Sequence, residues 1–187
     1  MTRIVAGSLG GRRLVAPPGE RTRPTSDRVR EALFGALDAA VDLDGARFVD
    51  LYAGSGAVGL EAYSRGAGHV LLVESDARAA RVIRDNIAAV RAAPAVRLAA
   101  APVAAVLAAG PGDGPYDVVF ADPPYAVSGD DLDAVLAALV GGDWLAPDAL
   151  VVVERSTRSA PMTWVNGITA ERSRRYGETT LWYGRRS

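Results

Sequence analysis

The chain has 187 residues, a formal net charge of −1, 49% apolar and 23% charged residues, which bounds it to one ordinary globular domain with room for a small appendage. With no cysteine and a single histidine, His69, it excludes disulfides, thiolate metal sites and cysteine nucleophiles, and it leaves neither a histidine-built zinc site nor a Ser-His-Asp triad. The charge is segregated: residues 1–35 carry seven Arg and three acids, 155–187 seven Arg and two acids, and 36–154 seventeen acids against seven Arg, a distribution that suits a polyanion touching the two ends.

Met1-Thr2-Arg3-Ile4 opens no long apolar run, and no stretch approaches the roughly 20 apolar residues of a membrane span, so a cytoplasmic protein without signal peptide or membrane partner is expected. Arg3-Ile4-Val5-Ala6 and Arg12-Arg13-Leu14-Val15-Ala16 flank the glycine-rich Gly7–Gly11 and predict a β-hairpin over 3–16. A proline-rich linker over 17–24 follows, so 1–24 is expected to form an N-terminal hairpin extension and 25–187 the main domain. A helix starts near Thr25-Ser26, and Val29, Leu33, Leu37 and Val41 give it one buried stripe.

From residue 46 strands and helices alternate. The predicted strands are 47–51, 69–74, 96–98, 116–121 and 150–154. Helices are expected over about 57–65, 76–91, 102–109 and 129–139, the last opened by Ser128 and Asp131 at capping-box spacing. Residues 162–165 and 179–183 read as two further strands joined by an Arg-rich segment. The sum is an α/β, Rossmann-like, mostly parallel seven-stranded sheet ending in an antiparallel C-terminal hairpin. Trp144, Trp164 and Trp182 are read as packing residues and His69 as a strand-edge residue.

Gly54-Ser55-Gly56-Ala57-Val58-Gly59 matches G-x-G-x-x-G between a strand and a helix, and Glu74 ends the next strand 18 residues after Gly56. On these features alone a nicotinamide-dependent oxidoreductase is a live reading. Asp50, four residues before Gly54, opposes it, because a carboxylate there repels pyrophosphate and attracts a cation. S-adenosylmethionine has a sulfonium, an amino group and a ribose, and no phosphate; Asp50 suits its amino group and Glu74 its ribose hydroxyls.

Asp122-Pro123-Pro124-Tyr125 follows the apolar strand 116–121. An ionised Asp only accepts hydrogen bonds, the prolines lack N–H groups, and Tyr125 offers a stacking face. Such a slot holds a flat, amine-bearing base. As an exocyclic amine attacks a methyl carbon it pyramidalises and gains positive charge, which a carboxylate and a carbonyl favour; Asp122 and the Pro123 carbonyl take those roles. No metal is required.

Phe48-Val49-Asp50-Leu51-Tyr52-Ala53-Gly54-Ser55-Gly56, Glu74 and Asp122–Tyr125 together resemble the class I S-adenosylmethionine-dependent methyltransferases that act on amino groups. Residues 3–12 (R-I-V-A-G-S-L-G-G-R) and 23–34 (R-P-T-S-D-R-V-R-E-A-L-F) narrow this, and the chain resembles the bacterial small-subunit ribosomal RNA guanine-N2 methyltransferase family, often called RsmD. The resemblance spans essentially the whole chain. It implies methylation of the N2 amine of one guanine in 16S ribosomal RNA, within an assembled or nearly assembled 30S subunit, by a monomer. It also implies Asp50, Tyr52, Gly54, Ser55, Gly56, Glu74 and Ser75 as cofactor contacts, Asp122, Pro123, Pro124 and Tyr125 as the catalytic motif, and Arg12, Arg13, Arg28 and Arg30 as RNA contacts. Ala99-Ala100-Ala101-Pro102 departs from relatives that place an acid or amide there for adenine, so backbone and apolar contacts are expected to hold that ring. An adenine-N6 methyltransferase and a catalytically silent RNA-binding assembly factor are the further alternatives. Removal of residues 1–20 is expected to weaken particle binding more than cofactor binding.

Overall fold

The computed structural model describes residues 2–17 and 24–187. The linker expected over 17–24 lies largely outside them. The elements are β1 (Thr2–Arg3), β2 (Arg13–Leu14), α1 (Pro24–Ala40), β3 (Arg47–Leu51), α2 (Ala57–Ser64), β4 (His69–Val73), α3 (Ala77–Ala89), β5 (Val96–Ala99), α4 (Val103–Ala109), β6 (Tyr116–Ala121), α5 (Gly129–Gly141), β7 (Leu145–Ser156), β8 (Ile168–Tyr176) and β9 (Thr179–Arg186).

Seven strands form one sheet in the order β5-β4-β3-β6-β7-β9-β8. Neighbours from β5 to β7 are parallel, while β9 runs antiparallel to both β7 and β8. The central strands are near-continuous apolar runs because helices cover both faces. On one face Phe48, Val118, Phe120 and Val152 pack with Leu33, Phe34 and Leu37 of α1, Leu60 of α2 and Ile83 of α3. On the other, Val49, Leu51, Val119 and Val151 pack with Leu107 of α4 and Leu132, Leu136 and Leu139 of α5. The chain leaves β3 toward β4 on one side, and later returns to place β6 on the other. The crevice between the carboxyl ends of β3 and β6 is therefore the topological switch point where α/β sheets bind ligands.

Local signals account for the boundaries. Asp76 caps α3 by accepting the Ala79 N–H at 2.9 Å, and Ser128 and Asp131 form the expected capping box at α5. Among the described residues no helix is long and apolar enough to cross a membrane.

Two expectations at the C-terminal end are corrected. Residues 162–165 form no strand: Trp164 lies over the Gly184 backbone, where an added Cβ would meet its ring at 2.9 Å, so the segment covers a sheet face instead of joining the sheet. The Arg-rich stretch read as a connection is the edge strand β8, exposed on both faces over most of its length and so lacking the apolar alternation that marks a half-buried strand. The N-terminal hairpin is also shorter than expected, with two ladder residues on each side. Ile4 and Leu14 nevertheless belong to the main core, buried with Val29 and Leu33 of α1.

Candidate active site

Three carboxylates from three strands meet at the switch point. Asp50, in β3, is only 1% exposed, and its Oδ2 accepts the Gly59 N–H of α2 at 3.1 Å. Burial pushes its pKa up to about 8; the Gly59 hydrogen bond opposes this, and the charges of Asp122 and Glu74 add to it. Because β3 lies between β4 and β6, Asp50 stands between the strand ends that carry Glu74 and Asp122, and both act on it. Glu74 follows β4 and folds over the glycine loop: its Oε1 accepts the Gly54 N–H at 2.8 Å and its Oε2 the Asp76 N–H at 2.9 Å. A carboxylate offers about four acceptor positions, so both oxygens keep capacity for ribose hydroxyls.

The glycines have separate tasks. Gly56 stands before α2 in the left-handed region, φ 83°, as the tight turn requires. Gly59 lets α2 lie against the sheet, since a Cβ there would stand 2.1 Å from Leu72 Cδ2. Tyr52 also has positive φ, 61°, uncommon outside glycine and concentrated at functional sites. Partial burial raises its pKa; Asp131 at the start of α5 adds to the rise and Arg155 near the end of β7 opposes it. Ser75 is exposed next to Glu74, and Ser55 is half-buried.

Asp122 is exposed at the mouth of β6, Pro123 is buried and Pro124 exposed. The Pro124 carbonyl accepts the Val127 N–H at 3.0 Å, closing a turn. The Val127 carbonyl accepts long hydrogen bonds of 3.4 and 3.5 Å from the Arg155 guanidinium, which holds the loop against the end of β7. Tyr125 is 88% exposed, far more than an aromatic ring with only a packing task.

The four arginines expected at RNA divide. Arg12, Arg13 and Arg28 are exposed, with Arg12 also donating to the Ala89 carbonyl at 2.7 Å. Arg30 is 6% exposed and turned inward: it donates to the Arg3 carbonyl and to Thr2 Oγ1, and pairs with Asp27 at 3.3 Å and Glu61 at 3.5 Å. Arg30 is a buried fastener of the hairpin, unavailable to phosphate.

Two residues that support the site went unread in the sequence. Glu61, fully buried in α2, accepts the Val5 N–H at 2.7 Å, the Ala6 N–H at 3.0 Å and Arg65 Nε at 2.9 Å. Its signal was a lone acid inside the apolar helix 57–64. Asn86, 1% exposed, exchanges two hydrogen bonds with the Val15 backbone and also donates to the Ser55 carbonyl at 3.0 Å. Its signal was an amide three residues after Ile83, on the apolar stripe of α3.

The sheet order, the glycine loop between β3 and α2, and an acid at each of three neighbouring strand ends define an α/β methyltransferase with a Rossmann-like sheet. The family model described as "Conserved hypothetical protein 95" matches residues 2–185. Ribosomal RNA small subunit methyltransferase D of Escherichia coli (strain K12) is 36% identical over 166 residues, covering 87% of this chain and 80% of that protein. The Haemophilus influenzae protein of the same name is 33% identical over 153 residues, covering 81% and 77%. The solved structure of Escherichia coli yhhF is 31% identical with a TM-score of 0.86, covering 99% of this chain and 97% of that one. The chain belongs to the Conserved hypothetical protein 95 family, the family of ribosomal RNA small subunit methyltransferase D. Magnesium protoporphyrin IX methyltransferase from Synechocystis, solved with S-adenosylmethionine bound, is 14% identical at TM-score 0.67 and shares the fold alone.

Proposed function

We propose that this protein transfers a methyl group from S-adenosylmethionine to the N2 amine of a guanine in 16S ribosomal RNA, acting on an assembled or nearly assembled 30S subunit. The observation that carries the reading is the convergence of Asp50, Glu74 and Asp122 on the switch-point crevice beside an exposed Tyr125, in a chain 36% identical to a ribosomal RNA small subunit methyltransferase. The carboxyl groups of Glu74 and Asp122 around the glycine loop, with Asp50 ready to give up its proton beside a cation, suit a cationic ligand with a ribose better than a pyrophosphate, which disfavours a nicotinamide cofactor.

Glu74 would hold the ribose hydroxyls, Asp50 the amino group, and Gly54, Ser55 and Gly56 the close backbone approach, with Tyr52 and Ser75 at the borders. The bound cofactor supplies an electrophilic methyl on a sulfonium whose sulfur leaves as a neutral thioether. Tyr125 stacks on a base taken out of its own stack, a task that accounts for its exposure. Asp122 accepts one N–H of the amine and the Pro123 carbonyl the other, so the nitrogen lone pair is drawn out of conjugation and aimed at the methyl carbon. The N–C bond forms, and the surplus N–H proton passes to Asp122 or to water. Exposed Arg12, Arg13 and Arg28 take RNA phosphates.

The test is methyl transfer from tritiated S-adenosylmethionine to undermethylated 30S particles, naked 16S RNA and duplex DNA, with nucleoside analysis. Label in N2-methylguanosine, strongest on particles, is the expected result. Label only in N6-methyladenine, or only in DNA, overturns the substrate assignment; absence of transfer together with NADH binding overturns the reaction.

A further inference from the structure

Arg174 and Arg175, at the end of β8, lie at the same edge of the sheet as Asp122. Ala121 pairs with Val153 of β7, so Asp122 falls on the row that continues through Glu154, Leu181 and Arg174. The next row runs Arg155, Thr180, Arg175. The β8–β9 turn therefore stands on the rim that holds the catalytic loop, three strand spacings or about 14 Å along it. Helix α1 closes on this turn from one face, and Arg28, Val29, Arg175, Tyr176 and Gly177 line a small cavity of about 180 Å³ between them.

In residues 155–187 seven arginines stand against two acids. The two acids of residues 155–187 are engaged elsewhere, Glu171 by Arg185 and Glu178 by Arg158. Arg172 lies over the Tyr183 ring at 4.9 Å, Arg174 shares that face of β8, and strand alternation gives Arg175 the other face, so the end of β8 presents arginine on both sides of the rim. Arg175 donates to the Gly177 carbonyl. Among the described residues no carboxylate forms an ion pair with Arg28, Arg174 or Arg175.

We propose that Arg28, Arg174 and Arg175 form a phosphate-gripping rim that holds the RNA backbone a few nucleotides from the base presented to Asp122. This rests on the RNA-methyltransferase reading and extends it to a surface on the C-terminal hairpin. Arginine on an edge strand also deters edge-to-edge pairing, but that task requires no second element bearing an arginine across a shared cavity and no position on the catalytic rim.

The experiment compares wild type with Arg28→Ala/Arg174→Ala/Arg175→Ala and with the corresponding triple lysine variant. It measures binding to undermethylated 30S particles across a potassium chloride series, S-adenosylhomocysteine affinity, thermal stability, and steady-state methylation. The expected alanine result is an RNA Kd and KM raised tenfold or more, kcat near wild type at saturating RNA, and unchanged S-adenosylhomocysteine affinity. The slope of log Kd against log salt should fall by about 2, since each lost single-strand phosphate contact contributes roughly 0.7. The lysine variant should recover most of the affinity. Unchanged RNA affinity and salt slope in a folded alanine variant overturns the rim, as does a lysine variant that regains stability without RNA affinity. If wild type binds particles but methylates no RNA, the underlying reaction assignment fails, while the binding comparison still decides the rim.

Discussion

Asp50 holds a proton in the folded protein that the unfolded chain gives up. Its pKa rises from 3.8 to about 8 on folding, mainly through burial, so between those values the native state binds more protons than the unfolded state and stability falls as pH rises. Asp50→Asn keeps an acceptor for the Gly59 N–H and cannot ionise. In the cofactor-free protein its melting temperature should therefore gain on wild type progressively from pH 5 to pH 8. Parallel melting curves across that range would show that Asp50 titrates normally. Asp122 has the opposite setting, exposed at the mouth of β6. Asp122→Ala should lower kcat by on the order of 10²–10³, the scale of losing one positioned electrostatic partner, with S-adenosylhomocysteine affinity within about twofold of wild type by calorimetry. Full turnover in that variant refutes its role. Asp50, Glu74 and Asp122 were readable from sequence because each ends a strand whose apolar run is unmistakable, and strand ends fix direction. Arg30 was misread because helix periodicity does not reveal that a long, charged residue points under a hairpin.

At the scale of elements, the N-terminal hairpin is held by donors to Glu61 and not by its four-residue ladder. Removing that carboxylate breaks its buried pairs with Arg30 and Arg65, leaving Arg30 only Asp27 as an ionic partner among the described residues, and strips the Val5 and Ala6 N–H groups of their acceptor. Broken buried pairs cost about 3–5 kcal/mol, so Glu61→Ala should lower the melting temperature by roughly 6–20 °C in a chain of this size, measured by calorimetry. Gly7→Ala is the backbone counterpart: Gly7 has φ 83°, and a Cβ there would stand 2.0 Å from the Ser64 carbonyl oxygen. That variant should loosen the hairpin and expose the Glu61 cluster to rapid amide exchange at Val5 and Ala6; slow exchange at both would show that the contact is dispensable. The same geometry revises the truncation expectation. Deleting 1–20 removes Ile4 and Leu14 from the core and strips Glu61 of two donors, so it should destabilise the whole protein along with any loss of RNA binding. The parallel βα units were legible because apolar runs, capping residues and glycines agree along 46–141. The strand β8 was not, because an exposed edge strand carries no periodic burial signal, and 162–165 mimicked a strand because packing onto a sheet face also selects apolar residues.

Across the whole molecule, the sheet order carries charges that are far apart in the chain to common positions: Arg28 from α1 and Arg175 from β8 line one cavity, on the edge that also bears Asp122. One arginine from the N-terminal end of the sequence and two from the C-terminal end thus share the proposed rim, a convergence that composition alone could suggest but not locate. Asn86 makes a second long-range junction, since one side-chain amide holds both the Val15 backbone and the Ser55 carbonyl of the glycine loop. Whatever steadies that loop must by reciprocity steady the departure of the chain from the hairpin. S-adenosylhomocysteine should then slow hydrogen exchange at the Val15 amide, which Asn86 accepts directly, and Asn86→Ala should abolish that slowing while the Gly59 amide still responds. The carboxamide would act as a thermodynamic relay, through which a filled cofactor pocket presents a stiffer extension to the RNA, and a seated RNA tightens the enzyme's hold on its methyl donor.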